Sequence, residues 1–346
     1  MSQSISESIR TAKRQWGEDL VILGHHYQHD EVIEHTDIAG DSLELARKIP
    51  DQRAKHIVFC GVDFMAETAS ILAQPEQQVY MPDHTASCVM ADMAPAPLVS
   101  RILENLHREG RRVIPLAYVN SSAAIKGLCG QYGGSVCTSA NAPTMLKWAM
   151  QQGDQVLFLP DQHLGVNTAR QLGLSAQDWH KLDIRGGGTR LDHSAIEQAT
   201  LLLWPGLCAV HARFHLDHIQ AIRESEPEAR ILVHPECHPE VVQAADGAGS
   251  TSFLIRAVQE ASAGSTLYIG TECNLVYRLR DRYRETLSIQ PLRVSACSNM
   301  GKTTASKLAS LLETLPDAPI MSVDPSIQAP ALLALERMLE ACRPGR

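Results

Sequence analysis

Three cysteines follow apolar segments at widely separated points of this 346-residue chain. Cys88 lies one loop beyond the apolar run 79–81, Cys208 follows the run 201–204, and Cys297 lies just past the run 289–294. Separations of 120 and 89 residues are too long for a local zinc finger or a ferredoxin-type cysteine run. If the three thiols act together, the fold must gather them from three regions of the chain.

A histidine and a carboxylate follow another apolar segment. His234 and Glu236 alternate along an extended stretch, so they face one side while Cys237 faces the other. That alternation favours a substrate-facing pair over a compact zinc cage. The local composition is nevertheless typical of zinc sites. A zinc-dependent aldolase or hydrolase therefore stays an alternative, with ligands drawn from Cys208, His211, His234 and Cys237.

These side chains must be positioned by alternating strands and helices. Strands are predicted at residues 19–24, 56–60, 79–81, 113–119, 155–159, 201–204, 231–233, 266–269 and 289–294. Helical patterns occur at residues 30–48, 64–73, 98–108, 143–151, 251–261, 302–315 and 329–342. Near-continuous apolar strands separated by helices predict an α/β fold with parallel sheets covered on both faces. Ligands of such folds bind at the carboxyl ends of the strands, where the reactive residues lie.

Composition and charge exclude several classes of protein. The 31 basic and 39 acidic residues give a net charge of −8, which argues against a general nucleic-acid or anionic membrane surface. The first residues lack the apolar core of a signal peptide, and no later apolar run is long enough to span a bilayer. We expect a soluble cytoplasmic protein. Its nine cysteines are then thiols or metal ligands rather than disulfides.

Reactive polar residues that follow apolar strands recur at intervals of roughly 85 to 90 residues, which suggests an internal triplication. Residues 178–199 interrupt that rhythm and are interpreted as an insertion that forms a loop or lid.

Taken together, several segments resemble the quinolinate synthase family, and they follow the family order over most of the chain. The matching segments are Gly24-His25-His26-Tyr27-Gln28, Gly40-Asp41-Ser42-Leu43, Phe64 to Ala69, Pro82-Asp83 with Cys88 to Ala91, Tyr118-Val119-Asn120-Ser121, Cys137 to Ala142, Phe158 to Asp161, Trp204 to Phe214, His234-Pro235-Glu236-Cys237, Gly249 to Ser252 and Cys297 to Met300. The 178–199 segment is similar to that of the longer subgroup of the family.

The resemblance implies three similar α/β/α domains with parallel sheets, in a pseudo-threefold arrangement with the active site at their junction. We place the domains at residues 1–90, completed by 290–346, at 91–205 with the insertion near 178–199, and at 206–289. The implied enzyme condenses iminoaspartate with dihydroxyacetone phosphate to quinolinate in NAD biosynthesis. Phosphate and water are lost.

The resemblance also implies a [4Fe–4S] cluster held by Cys88, Cys208 and Cys297. Some members of the family carry C-x-x-C-x-x-C at the last position, whereas this chain has only Cys297 there. Since a cubane cluster usually takes four thiolates, three leave one iron open to act as a Lewis acid.

Further residues are assigned by the resemblance. Five are implied to be catalytic around the open iron: His25, Tyr27, Tyr118, His234 and Glu236. The substrate-binding residues are implied to be His25, Ser42, Tyr118, Asn120, Ser139, His234, Glu236 and Thr251. Glu236, with His234 and Tyr118, is expected to move protons.

The expected partners are the two substrates and the L-aspartate-oxidising enzyme that supplies iminoaspartate, with no nucleic acid and no membrane. A non-enzymatic alternative, an iron–sulfur redox sensor, would need a partner surface, and the sequence shows no basic recognition element.

Overall fold

The protein is an α/β fold with three separate sheets in which every strand pair is parallel, as the sequence predicts. A computed structural model describes residues 2–108 and 110–343. The strands are β1 Leu20–His25, β2 Ile38–Gly40, β3 His56–Cys60, β4 Gln78–Tyr80, β5 Val113–Tyr118, β6 Ser135–Cys137, β7 Gln155–Leu159, β8 Trp179–Lys181, β9 Leu201–Leu203, β10 Arg230–Val233, β11 Gly247–Ala248, β12 Thr266–Gly270 and β13 Ser288–Pro291.

Sixteen described α-helices connect and cover these strands. They are α1 Ser2–Trp16, α2 Asp30–Ile33, α3 Ser42–Lys48, α4 Asp63–Leu72, α5 Val89–Asp92, α6 Ala96–Arg108, α7 Ala123–Gln131, α8 Ala142–Met150, α9 Gln162–Gln171, α10 His193–Gln198, α11 Leu216–Ser225, α12 Pro239–Ala244, α13 Thr251–Gln259, α14 Cys273–Tyr283, α15 Ala305–Glu313 and α16 Pro325–Ala341. None of the described helices is both long and apolar enough to cross a bilayer.

The first sheet has the order β2-β1-β3-β4, the second β6-β5-β7-β9-β8 and the third β11-β10-β12-β13. The expectation of one helix with a break over residues 30–48 is wrong, because residues 38–40 form β2 beside β1. The strand predicted to reach Val294 ends at Pro291, and Val294 is exposed.

The first sheet is buried on both faces. Successive strand residues point to opposite sides, and the residues on each side are apolar. Val21 and Phe59 pack on one side, in a core that continues into the second sheet. Ile22 and Val58 pack on the other side, against α1 and α15. The third sheet is likewise covered by two separate apolar clusters. The middle of these sheets is therefore surrounded by apolar side chains, and the polar residues lie at the strand ends.

The last helix, α16, packs on α7 and β6 beside the second sheet. A side chain at Gly130 would place its Cβ 1.8 Å from the carbonyl oxygen of Pro330, so only glycine lets the two helices approach this closely. Helix α15, by contrast, packs on α1 beside the first sheet. The domain boundaries proposed from the sequence stay a prediction.

Residues 178–199 build the outer edge of the second sheet. Strand β8 pairs with β9, and the Gln155 side chain donates to the carbonyls of Ile196 and Ala199 at 2.5 and 2.7 Å. The structure describes this whole segment, and none of its residues lines the central cavity described below.

Candidate active site

A cavity of about 120 Å³ lies where strand ends of the three sheets meet. His25 is the last residue of β1, Tyr118 is the last residue of β5, and His234 directly follows β10. The small volume suits a metabolite rather than a polymer chain. All twelve site residues predicted from the sequence line it: His25, Tyr27, Ser42, Cys88, Tyr118, Asn120, Ser139, Cys208, His234, Glu236, Thr251 and Cys297.

The three predicted cysteine ligands reach this cavity from separate loops. Cys88 directly precedes α5, Cys208 begins a turn in which its carbonyl accepts from the Ala212 N–H at 2.9 Å, and Cys297 lies between β13 and α15. Each is half-buried and free of a disulfide. Burial raises the pKa of Cys88 to about 12, and the nearby Cys297 adds to that rise. The thiols are thus close enough to influence one another.

Glu236 is the centre of a buried hydrogen-bond network that joins the second and third sheets. The Tyr118 hydroxyl donates to Glu236 Oε1 at 2.5 Å, and His211 Nδ1 lies 2.8 Å from Oε2. His234 stacks on His211 with ring centroids 4.4 Å apart. Both oxygens of the carboxylate are therefore bound by groups from distant parts of the sequence.

Charge in this network is set by burial and by neighbouring groups. Burial alone raises the pKa of Glu236, but His211, His234 and the two hydrogen bonds reverse this and hold it below its usual range. Burial raises the pKa of Tyr118 well above its usual value, and the Glu236 charge adds to this. Burial also lowers the pKa of His234 to about 3. At neutral pH the site holds an ionised carboxylate, a protonated tyrosine and a neutral His234.

A chain of hydroxyl groups extends from this network to the first sheet. His211 Nε2 lies 3.1 Å from Thr271 Oγ1, which lies 2.7 Å from the Tyr27 hydroxyl. Thr251 Oγ1 donates to the same tyrosine oxygen at 3.3 Å. His25 completes the wall, with its ring edge-on to Tyr27 at 4.6 Å, and burial lowers its pKa to about 3.

The remaining predicted residues provide polar groups suited to a ligand. Asn120 Oδ1 is buried and has no hydrogen-bond partner among the described residues. Thr251 is the first residue of α13 and lines the cavity, so the positive end of that helix lies beside it. Ser42 and Ser139 also line the cavity. An anionic ligand would meet hydroxyl groups and a helix N-terminus here.

Three further residues belong to the site but not to the predicted catalytic and substrate-binding sets, and one of them, His211, was predicted only as a ligand in the zinc alternative. His211 and Arg213 line the cavity, and Thr271 bridges two residues that do. The position of His211 three residues after Cys208 was a usable signal, because that spacing is typical of metal sites. Thr271 carries no such signal, since an isolated threonine after a strand is common.

The zinc ligand set considered from the sequence is not assembled as a whole. The Cys237 thiol is buried, points to the Gly270 carbonyl at 3.7 Å and does not line the cavity. Cys208, His211 and Glu236 do offer ligand atoms within 4.8 Å of one another. A metal at that point would have to compete with the hydrogen bond between His211 and Glu236.

Comparison with known proteins decides the family. The family model described as "NadA: Quinolinate synthetase A protein" matches residues 7–340. The chain belongs to the quinolinate synthase family. Quinolinate synthase of Streptomyces coelicolor is 46% identical over 340 residues, which cover 95% of this chain and 86% of that protein. Quinolinate synthase of Bacillus anthracis is 43% identical over 346 residues, which cover 98% and 94%.

A quinolinate synthase is an enzyme of NAD biosynthesis, so the family excludes the alternative of a non-enzymatic redox sensor. The relative from Corynebacterium glutamicum, 46% identical over 341 residues, carries the same name. The match extends over all three sheets, which agrees with a cavity built from all of them.

Proposed function

We propose that the central cavity condenses iminoaspartate with dihydroxyacetone phosphate to quinolinate, with loss of phosphate and water. A [4Fe–4S] cluster would be held by Cys88, Cys208 and Cys297. The observation that carries the proposal is that these three half-buried thiols face the same cavity as the Glu236 network.

The donor set fits an iron–sulfur cluster. Thiolates are the usual ligands of such clusters, and three of them leave one iron available. When bound, the cluster would supply Lewis acidity to a substrate oxygen or nitrogen. The free thiols come from three separate loops and line the same cavity.

Glu236 is assigned the role of proton acceptor and Tyr118 the role of donor. While both of its oxygens are hydrogen-bonded, the carboxylate is a weak base, as its lowered pKa indicates. A substrate that takes over the Tyr118 hydroxyl removes one of those donors and makes the carboxylate more basic. His234 and His25, both neutral, and Tyr27 complete the set of groups that can pass protons.

Anionic parts of the substrates would be bound around this centre. Ser42, Asn120, Ser139 and Thr251 are assigned to the carboxylates and the phosphate, with the N-terminus of α13 providing N–H donors. Arg213 adds a positive charge to the same wall. We further propose that the enzyme acts in the cytoplasm and receives iminoaspartate from an L-aspartate-oxidising enzyme, without nucleic acid or membrane as a partner.

Iron, sulfide and zinc analysis of anaerobically purified protein, coupled to a quinolinate assay, tests the proposal. We expect brown protein with about four irons and four sulfides per chain, which is the content of one cubane cluster, and quinolinate formed from both substrates. Colourless protein with one zinc per chain would contradict it and favour a zinc site at Cys208, His211 and Glu236.

A further inference from the structure

Helix α9 of the second sheet lies beneath the segment 235–237, which carries Glu236. The side-chain amide of Asn167 donates to the carbonyl of Pro235 at 2.8 Å and to that of Cys237 at 2.9 Å. Asn167 is only 8% exposed. One buried amide thus holds the main chain on both sides of the proposed proton acceptor.

His163 contacts the same segment from one turn earlier on α9. Its ring lies near the backbone of Glu236 and packs on the His238 ring with centroids 4.3 Å apart, and the side chain is 7% exposed. Residues four apart lie on the same face of a helix, so His163 and Asn167 present one polar face to the segment. Both hydrogen bonds from this face to the segment come from Asn167, and His163 packs beside them.

The start of α9 is itself firmly fixed. The buried Asp161 caps the helix, with Oδ1 accepting from the N–H groups of His163 at 2.7 Å and Leu164 at 2.9 Å. Asp161 also forms a parallel bridge with Gly206, two residues before Cys208. A helix fixed in this way is a rigid support for whatever its side chains hold.

The segment has little support of its own. Its internal hydrogen bonds run from the Cys237 N–H to the His234 carbonyl at 3.0 Å and from the Glu236 N–H to His234 Nδ1 at 3.3 Å. These bonds shape a local turn, but they do not tie the turn to the second sheet. The Glu236 carboxylate must nevertheless reach Tyr118 of that sheet at hydrogen-bond distance.

We propose that Asn167 is a positioning residue that holds the main chain of 235–237 so that Glu236 stays in register with Tyr118 and His211. This inference rests on the catalytic role proposed for Glu236. A displacement of about 1 Å from productive geometry can lower a rate by about 10²-fold. The Asn167 side chain touches the backbone rather than a substrate, and its effect passes through Glu236.

The test compares Asn167→Leu with wild type as anaerobic holoenzyme. Leucine has the same number and branching of side-chain heavy atoms but no donor, so two carbonyls lose their partners. We expect amide hydrogen exchange in the peptide covering 234–242 to accelerate by about tenfold or more, which corresponds to a small loss of local stability. We also expect kcat for quinolinate to fall by about 10- to 100-fold while iron content and the KM for dihydroxyacetone phosphate stay near wild type.

Two further variants separate positioning from simple packing. Asn167→Asp keeps the size of the side chain but replaces the amide donor with an acceptor, so it should accelerate exchange and lower kcat as Asn167→Leu does. Gln171→Ala, at an exposed position on the same helix, should change neither quantity. If Asn167→Leu does not fold, Asn167→Asp decides the question.

Unchanged exchange at 234–242 in Asn167→Leu would overturn the proposal, as would faster exchange with unchanged kcat, or loss of iron. A wild-type protein that makes no quinolinate would instead contradict the proposed function, while the exchange measurement would still report whether α9 holds the segment.

Discussion

Two groups of cysteines in this molecule differ in their surroundings, one in the wall of the central cavity and one buried in the core. Cys88, Cys208 and Cys297 are half-buried and share one cavity, whereas Cys60 and Cys129 are fully buried among apolar side chains. Cys60 ends a strand, yet it points to the face that α1 and α15 cover. Position at a strand end is therefore not sufficient; the direction of the side chain decides between ligand and core residue.

The largest expected difference between the two places is in metal content. Cys88→Ser, Cys208→Ser and Cys297→Ser should each lose the cluster and all quinolinate formation, because two thiolates are too few to hold it. Cys60→Ser should stay brown and active, with a free energy of unfolding lower by about 1–3 kcal/mol for a buried hydroxyl. Iron and sulfide analysis with urea unfolding would show both effects. A full cluster in any of the first three variants would remove that cysteine from the site.

A carboxylate in the cavity can likewise be compared with one outside it. Glu236→Gln keeps the shape of the side chain but removes the proton acceptor, so activity should fall by about 10²-fold with iron content unchanged. Outside the cavity, Glu67 Oε2 accepts a hydrogen bond from the Ala123 N–H at 2.7 Å. Glu67→Gln keeps an acceptor there and should stay near wild-type activity. Equal activity of the two variants would show that Glu236 is not catalytic, and iron loss in Glu236→Gln would assign it to the cluster instead.

A smaller effect is expected for Thr271, which bridges His211 and Tyr27 without being a proton acceptor in the proposal. Thr271→Val preserves the shape and removes the hydroxyl, so kcat should fall by up to about tenfold, the equivalent of one ordinary hydrogen bond. Steady-state kinetics with both substrates would measure it. A loss as large as that of Glu236→Gln would place Thr271 in the chemistry itself.

The smallest expected effect is on the pH dependence of the free energy of unfolding. Burial holds the pKa of His25 and of His234 at about 3, so between pH 6.5 and 3 the unfolded chain binds protons that the folded chain does not. Lowering the pH from 7 to 6 should therefore reduce the free energy of unfolding by about 0.7 kcal/mol for each histidine. Urea unfolding at both pH values should show a smaller reduction in the His25→Gln/His234→Gln double variant. An identical reduction would mean that these rings titrate normally in the folded protein.

The sequence was sufficient for the central strands but not for the edges of the sheets. Strands β3 and β7 lie where their apolar runs predicted them, because a strand buried on both faces has a clear pattern. The strands that were missed, β2, β6, β8 and β11, have two or three residues each and lie at sheet edges. Such short strands depend on pairing with a neighbouring strand from another part of the chain, and that neighbour is not visible in a local pattern.

The site also has features that the sequence predicts and features that it does not. Thiols and histidines such as Cys297 and His25 could be proposed individually from their types, their positions after strands and the family resemblance. The hydrogen bonds of Glu236 could not, even though the resemblance groups it with Tyr118, since Tyr118 and His211 are 118 and 25 residues away in sequence. Which oxygen each one binds depends on how two sheets are placed side by side, and no spacing rule encodes that placement.

The packing of α16 has a consequence for synthesis of the chain. This helix is made after all three sheets, yet it covers α7 and β6, which are made about 200 residues earlier. Until then the apolar surface that later receives Ala331, Leu335 and Met338 has no permanent cover. The packing around the second sheet is therefore completed only after α16 has been made. A product that stops before residue 325 would leave this apolar surface exposed to chaperones.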